Sequence, residues 1–182
     1  MRLNKVVYSC IFLSLFACSN NEVVENVKST YTEESDGIIE YDLNEDRIDA
    51  VQFNNNLSMI QQNVSRQIEL LFQSDSIDIQ QNYENTLFEI EINLHELKSY
   101  EVENGENFLK AITDLLIFYK NELTNDFPEL IEIIKSGVKN ENELERLNEY
   151  DVKFAKEEAE YLEIIFQEQD TFAAINNIKL AS

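Results

Sequence analysis

The chain has 182 residues, 43% of them apolar, and sets 36 acidic side chains against 14 Lys and Arg for a formal net charge of −22. That apolar content excludes a chain disordered throughout and fits one compact domain. Three glycines and one proline argue against a β-rich or loop-rich fold, which needs turn residues, and the lack of a basic cluster argues against nucleic acid or an anionic lipid surface as a partner of the main body.

In chain order, Arg2 and Lys5 come first. An apolar run from Val6 to Phe16 follows, broken by Ser9, Cys10 and Ser14, and then Ala17, Cys18 and the polar Ser19-Asn20-Asn21. A charged opening, an apolar stretch of about 7–15 residues and a small residue before the cut describe a secretory signal. A spanning helix needs about 20 apolar residues. Leu15-Phe16-Ala17-Cys18 resembles the lipobox of bacterial lipoprotein precursors, with Phe16 larger than is usual at its position. The resemblance implies that residues 1–17 are a signal peptide, that Cys18 receives a diacylglycerol, and that the new amino terminus is acylated with palmitate-like chains. It implies a lipid-anchored place in the bacterial cell envelope. Ser19, where an aspartate would hold such a protein at the inner membrane, leans the expectation toward the outer membrane. Several acyl chains anchor lastingly where one holds only marginally. Loss of Arg2 and Lys5 with the signal takes the charge from −22 to −24 and leaves Cys18 as the only cysteine, so neither a disulfide nor a zinc-type cysteine cluster is expected.

Residues 18–43 show no sustained period and read as a lipidated N-terminus with an acidic flexible tether, in which Val23-Val24 and Ile38-Ile39 are short apolar patches. Residues 44–178 then carry four amphipathic segments. The first, from an Asn44 cap to Phe72, repeats Ala50, Phe53, Leu57, Ile60, Val64, Gln67 and Leu71 at alternating spacings of three and four, with Ile68 beside the polar Gln67. A turn at Ser74-Asp75-Ser76 leads to a second helix running to about Val102, with Tyr83, Leu87, Ile90, Leu94 and Leu97 as its stripe and Gly105 as its left-handed terminal residue. The third opens at Glu106 with Phe108, Ala111, Ile112, Leu115, Tyr119 and Leu123 on its face. Near Pro128 it either kinks or gives way to a new short helix to Lys135, with Asp126 and Glu129 as a capping pair and Leu130, Ile131, Ile133 and Ile134 closing one end of the core. The fourth, about Glu141 to Asn177, is capped by Asn140 with Glu143 and spans roughly 50 Å at 1.5 Å per residue. The expected fold is therefore all-α: an antiparallel up-down four-helix bundle with long, coiled-coil-like helices.

The fourth helix carries an oddity. Leu144, Leu147, Phe154, Tyr161, Leu162, Ile165 and Phe172 share one face, and Asp151, Glu158, Gln169 and Asn176 project inside it. A carboxylate so placed needs hydrogen bonds, a charge partner or a proton, and Tyr83, Tyr119 and Tyr161 on the apolar faces offer hydroxyl donors. Buried Tyr–carboxylate bonds that fix helix register, or water at a splayed bundle end, explain the pattern structurally. The functional counterpart is a polar pocket for a small ligand or cation at Asp151, Glu158, Tyr83, Tyr119 and Tyr161.

Catalytic classes fail on inventory. The paired Glu-x-x-His motifs of di-iron bundles are absent, since Ile92 stands three before the single histidine, His95. Glu91 and His95 alone make a weak metal site. No nucleophile–base pair, haem-attachment motif or phosphate-cradling loop is present, and a closed bundle lacks the cleft that paired carboxylates need for glycoside chemistry. No cofactor, no metal and no catalysis are expected. The expected role is structural or protein-interacting at the membrane surface, with an unidentified protein partner. The alternatives are ligand or cation binding within the bundle, and an acidic, immunity-like inhibitor masking a basic partner.

Overall fold

The computed structural model describes residues 45–180, with side chains from Ala50 onward. Every regular element among them is helical: α1 (Glu45–Phe72), α2 (Ile79–Glu96), a 3-10 turn (Leu97–Ser99), α3 (Glu106–Asn125), α4 (Phe127–Ser136) and α5 (Glu141–Ile175). Cys18, the expected anchor, and the 18–43 tether lie outside the described residues, as does the Asn44 cap.

Helix α1 forms where the three-four repeat placed it. Ala50, Phe53, Leu57, Ile60, Val64 and Leu71 are all buried. Gln67, expected on that stripe, is only half-buried, and Ile68 takes its place in the core. The two positions are neighbours on the helix, and the core accepts the isoleucine where an unpaired amide would lose its hydration without compensation. At the following turn the Asp75 carboxylate accepts from the Ile77 and Asp78 N–H groups at 2.8 and 3.2 Å, and Asn82 donates to the Ser74 hydroxyl at 2.7 Å. These bonds hold the turn that leads into α2, whose own N-cap, Asp78, makes no side-chain cap bond.

Helix α2 ends earlier than Val102. Its most buried positions are Ile79, Thr86, Ile90 and Leu97, with Tyr83, Leu87 and Leu94 half-buried beside them. Thr86 is accommodated because its hydroxyl bonds back to the Asn82 carbonyl at 2.7 Å. The left-handed residue of the α2–α3 connection is Asn104 (φ 61°) rather than Gly105. Asparagine tolerates that conformation. Gly105 instead precedes α3 with φ −96°, and a Cβ there would stand 2.8 Å from the Phe53 ring. This glycine is required by close approach and not by its backbone angles.

Helix α3 buries Phe108, Ala111, Ile112, Leu115, Leu116, Phe118, Tyr119 and Leu123. It stops because Pro128 has no N–H to donate four residues back and its ring crowds the preceding turn. A separate short helix, α4, results, with the proline in its first turn. The expected Asp126–Glu129 capping pair does not form: Asp126 makes no cap bond and accepts from Lys153 at 3.2 Å, and Glu129 pairs with Arg146. Cations from α5 compete successfully for both carboxylates. Leu130 and Ile131 are buried, with Ile133 and Ile134 packed against the core.

Helix α5 starts as expected, the Asn140 side-chain Oδ1 accepting from the Glu143 N–H at 3.0 Å, while the Glu143 carboxylate reaches back to the Lys139 N–H at 2.6 Å. It ends in a Schellman arrangement around left-handed Asn177, the Ile178 N–H bonding the Ala173 carbonyl at 2.8 Å.

The core gathers at two aromatic clusters. Phe53 meets Phe172, Tyr100 and Phe108 at ring distances of 5.2, 6.1 and 6.3 Å. At the other end Phe72 meets Phe154 and Phe127 at 4.9 and 5.5 Å, and Tyr83 stacks on Phe127 at 6.2 Å. Leu57, Ile68, Ile90, Ile112 and Leu115, fully buried, fill the space between. Gly105→Ala is expected to destabilise the protein by about 1–3 kcal/mol, because the Phe53 ring packs against three other aromatic rings and cannot shift without disturbing them. Urea unfolding measures this, and an unchanged midpoint would contradict the close approach.

Candidate functional site

Most of the polar side chains buried in the helical body lie on one seam, where α1 faces α5 and α3. On α1 the residues Asn54, Ser58, Gln61 and Ser65 follow one another at spacings of four, three and four beside the apolar stripe. That period turns them toward a single neighbour, and two hydrogen-bonded groups result.

The first group joins three helices. The Tyr119 hydroxyl on α3 donates to Glu158 Oε1 on α5 at 2.5 Å, Ser65 Oγ lies 3.1 Å from the Tyr119 oxygen, and Gln61 Nε2 donates to Ser65 Oγ at 3.2 Å. With the Tyr119 proton directed at the carboxylate, Ser65 is the donor to Tyr119, so every bond in the series points toward Glu158. Such an aligned chain strengthens each bond in it. Tyr119 is fully buried and Glu158 is 5% exposed. Burial drives the Glu158 carboxyl above its ordinary value, with the Tyr119 bond opposing that rise. Tyr119 is pushed well up by burial and by the carboxylate against it. In the second group, Gln169 Nε2 on α5 donates to Asn54 Oδ1 at 3.0 Å and to Ser58 Oγ at 2.9 Å. The α1 and α5 backbones approach each other less closely than α3 and α5 do, so side chains bridge this seam.

The five residues expected to share a pocket fall in different places. Tyr119 and Glu158 are bonded to each other. Tyr161, half-buried, stacks on Phe118 at 4.9 Å. Tyr83 stacks on Phe127 against the start of α4, its hydroxyl raised by burial and by Glu84. Asp151, seven residues before Glu158, is half-buried and raised by loss of hydration, with no hydrogen-bond partner among the described residues. Sequence reasoning missed Ser65, Gln61, Asn54 and Ser58, although their own three-four spacing carried the signal.

It also missed Tyr150 and Glu122. Both Tyr150 OH and Glu122 Oε2 are buried without a hydrogen bond of acceptable geometry. They lie near enough that burial and then the Glu122 charge hold the phenol well above its ordinary range. Lys153 bridges Glu122 Oε1 and Asp126, each at 3.2 Å, and so supplies the positive charge there. Among the described residues no three His, Cys, Asp or Glu side chains converge to hold a metal. Comparison of the chain with protein-family models, with characterised proteins and with solved structures finds no match.

Two outcomes are expected of the seam. Tyr119→Phe removes the one donor shown on the buried carboxylate and is expected to destabilise by about 1–3 kcal/mol; a neutral result in urea unfolding would contradict the geometry. The folded-state pKa of Glu158 is raised, so its contribution is fully present below the unfolded value and is lost as pH rises through the folded one. Glu158→Gln abolishes that titration. The variant is expected to gain stability relative to the native chain as pH is taken from about 4 to about 7, whereas a difference constant with pH would contradict it.

Proposed function

We propose that the protein is a lipid-anchored envelope protein whose helical body is an interaction surface held close to the membrane. We further read the body as an up-down-up-down bundle of α1, α2, α3 and α5 with α4 capping one end. In support, one aromatic cluster joins Phe53 near the start of α1, Tyr100 after α2, Phe108 at the start of α3 and Phe172 at the end of α5. Antiparallel neighbours bring those ends together.

The observation that carries an interaction role is the mutual engagement of the inner polar residues. Tyr119, Glu158, Ser65, Gln61, Gln169 and Asn54 bond one another, which favours a structural use of the seam over a ligand pocket. Large apolar side chains stand outside instead. On α2, Phe88 is 62% exposed and Ile92 44%, one turn apart and opposite the buried Ile90 stripe; on α5, Val152 is 70% exposed and Phe166 50%. Scattered exposed apolar residues are ordinary, but the α2 pair forms a row at helical spacing. The lipobox resemblance at Leu15 to Cys18 supplies the anchor, and a tethered partner site gains effective concentration without new contacts.

The test is a pull-down from detergent-solubilised envelope with the native chain and with Cys18→Ala, alongside mass spectrometry of the N-terminal peptide. Acylation at Cys18 and a partner recovered by the native chain, and lost or reduced with Phe88→Ser/Ile92→Ser, are expected. An unacylated Cys18 would overturn the anchor, and recovery of nothing above background by either form would overturn the interaction role.

A further inference from the structure

The connection between α2 and α3 builds an open groove at the end of the core where Phe53 lies. It has a volume of about 480 Å³ and is lined by Phe53, Tyr100, Val102, Glu101, Glu103 and the amides of Gln52, Asn56, Asn104 and Asn176, among others. A second groove of about 370 Å³ at the same loop shares Phe53, Tyr100, Glu101, Val102 and Glu103 and adds Glu106. Half-buried Tyr100 gives the floor its accessible aromatic ring, with Phe53 buried behind it and Glu101 and Glu103 at the rim, and among the described residues no Lys or Arg lines either groove. The floor is also fixed. The Tyr100 hydroxyl donates to Glu96 at 2.8 Å, the Tyr100 ring sits edge-on to Phe53, and the absence of a side chain at Gly105 lets the loop lie against the Phe53 ring.

We infer that this groove takes an arginine side chain from a basic segment of a protein partner. The chemistry matches part for part. A guanidinium is planar and weakly hydrated, stacks on aromatic faces and pairs with carboxylates, whereas lysine offers only a compact charge. Glu101 and Glu103 are exposed and both line the groove, so a guanidinium seated there meets two carboxylates. The amides at the mouth supply donors and acceptors for the flanking peptide backbone. The volume suits a side chain with its neighbouring backbone. The net charge of −22 steers a basic partner toward the protein, and the groove gives that attraction an address. This inference rests on the interaction role proposed above and names the chemistry of the partner.

The probe is N-acetyl-arginine amide, titrated into the isotopically labelled full-length chain in non-ionic detergent and followed by amide and aromatic NMR shifts. N-acetyl-citrulline amide, the neutral isostere, is the control. Saturable shifts confined to Phe53, residues 99–106 and Asn176 are expected, weakening with added salt and absent with citrulline. Glu101→Gln/Glu103→Gln touches only exposed side chains and is expected to weaken binding about threefold to tenfold. Tyr100→Leu, which keeps apolar bulk without the π face, is expected to weaken it about twofold to fivefold. Shifts spread evenly over the glutamates of α5 without saturation, equal shifts with citrulline, or native affinity in the double variant would each overturn the inference. A partner pulled down equally well by the native chain and the double variant would also overturn it while leaving the interaction role standing. Localised arginine binding with no partner recovered would overturn both the interaction role and the assignment of the arginine to a protein partner.

Discussion

Three helices distant in sequence meet at the Tyr119 hydroxyl, which donates to the Glu158 carboxylate on α5 and is met by Ser65 on α1. A carboxyl group inside an apolar helical body is tolerated only if it is bonded or protonated. Tyr119, itself backed by Ser65 and Gln61, meets that condition and thereby fixes how α1, α3 and α5 stand against one another. The apolar stripes alone would accept neighbouring rotations of each helix, because leucine and isoleucine contacts are not directional. The tyrosine–carboxylate bond tolerates no such slippage. Specificity through a buried polar contact is the best-attested use of such groups in helical assemblies.

That contact was half visible in the sequence. Glu158 stood out because it interrupts an apolar face, and Tyr119 because it sits on one. Which tyrosine served which carboxylate was not readable, since one-dimensional spacing fixes angles on a helix but not the level at which helices meet. The helices themselves were readable where burial repeats every three or four residues, and the α5 N-cap because Asn140 and Glu143 bond within one turn. The failures share a cause. Gln67 yielded to Ile68 because the core takes an apolar neighbour in preference to an unpaired amide. Asp126 and Glu129 bonded Lys153 and Arg146, cations more than a dozen residues away in sequence. Gly105 was given a backbone role when a ring from another helix dictated it. Local chemistry was legible, and tertiary competition for the same groups was not.

The distribution of charge and apolar surface then assigns different tasks to different regions. The inner seam contributes register, and the α3–α4 junction is tied to α5 by the exposed pairs Lys153–Asp126 and Arg146–Glu129, of modest worth, and by the partly buried pair Lys153–Glu122. The loop from Tyr100 to Gly105 combines a rigid aromatic floor with carboxylates that have no visible structural duty. A group without a structural role, held in a defined shape, is where partner chemistry is best sought. On the proposed account an acyl anchor at Cys18 keeps that loop and the α2 face within reach of the envelope.

The central claim is that the polar seam between α1, α3 and α5 is occupied by the protein's own hydrogen bonds. Carbon-detected NMR titration of the Glu158 carboxyl, read together with the exchange rate of the Tyr119 hydroxyl proton, tests it most directly. The account predicts a carboxyl that titrates above its ordinary range and a hydroxyl proton protected from solvent. A carboxyl titrating at its ordinary value beside a freely exchanging hydroxyl would mean a hydrated pocket between α1, α3 and α5, and would contradict it.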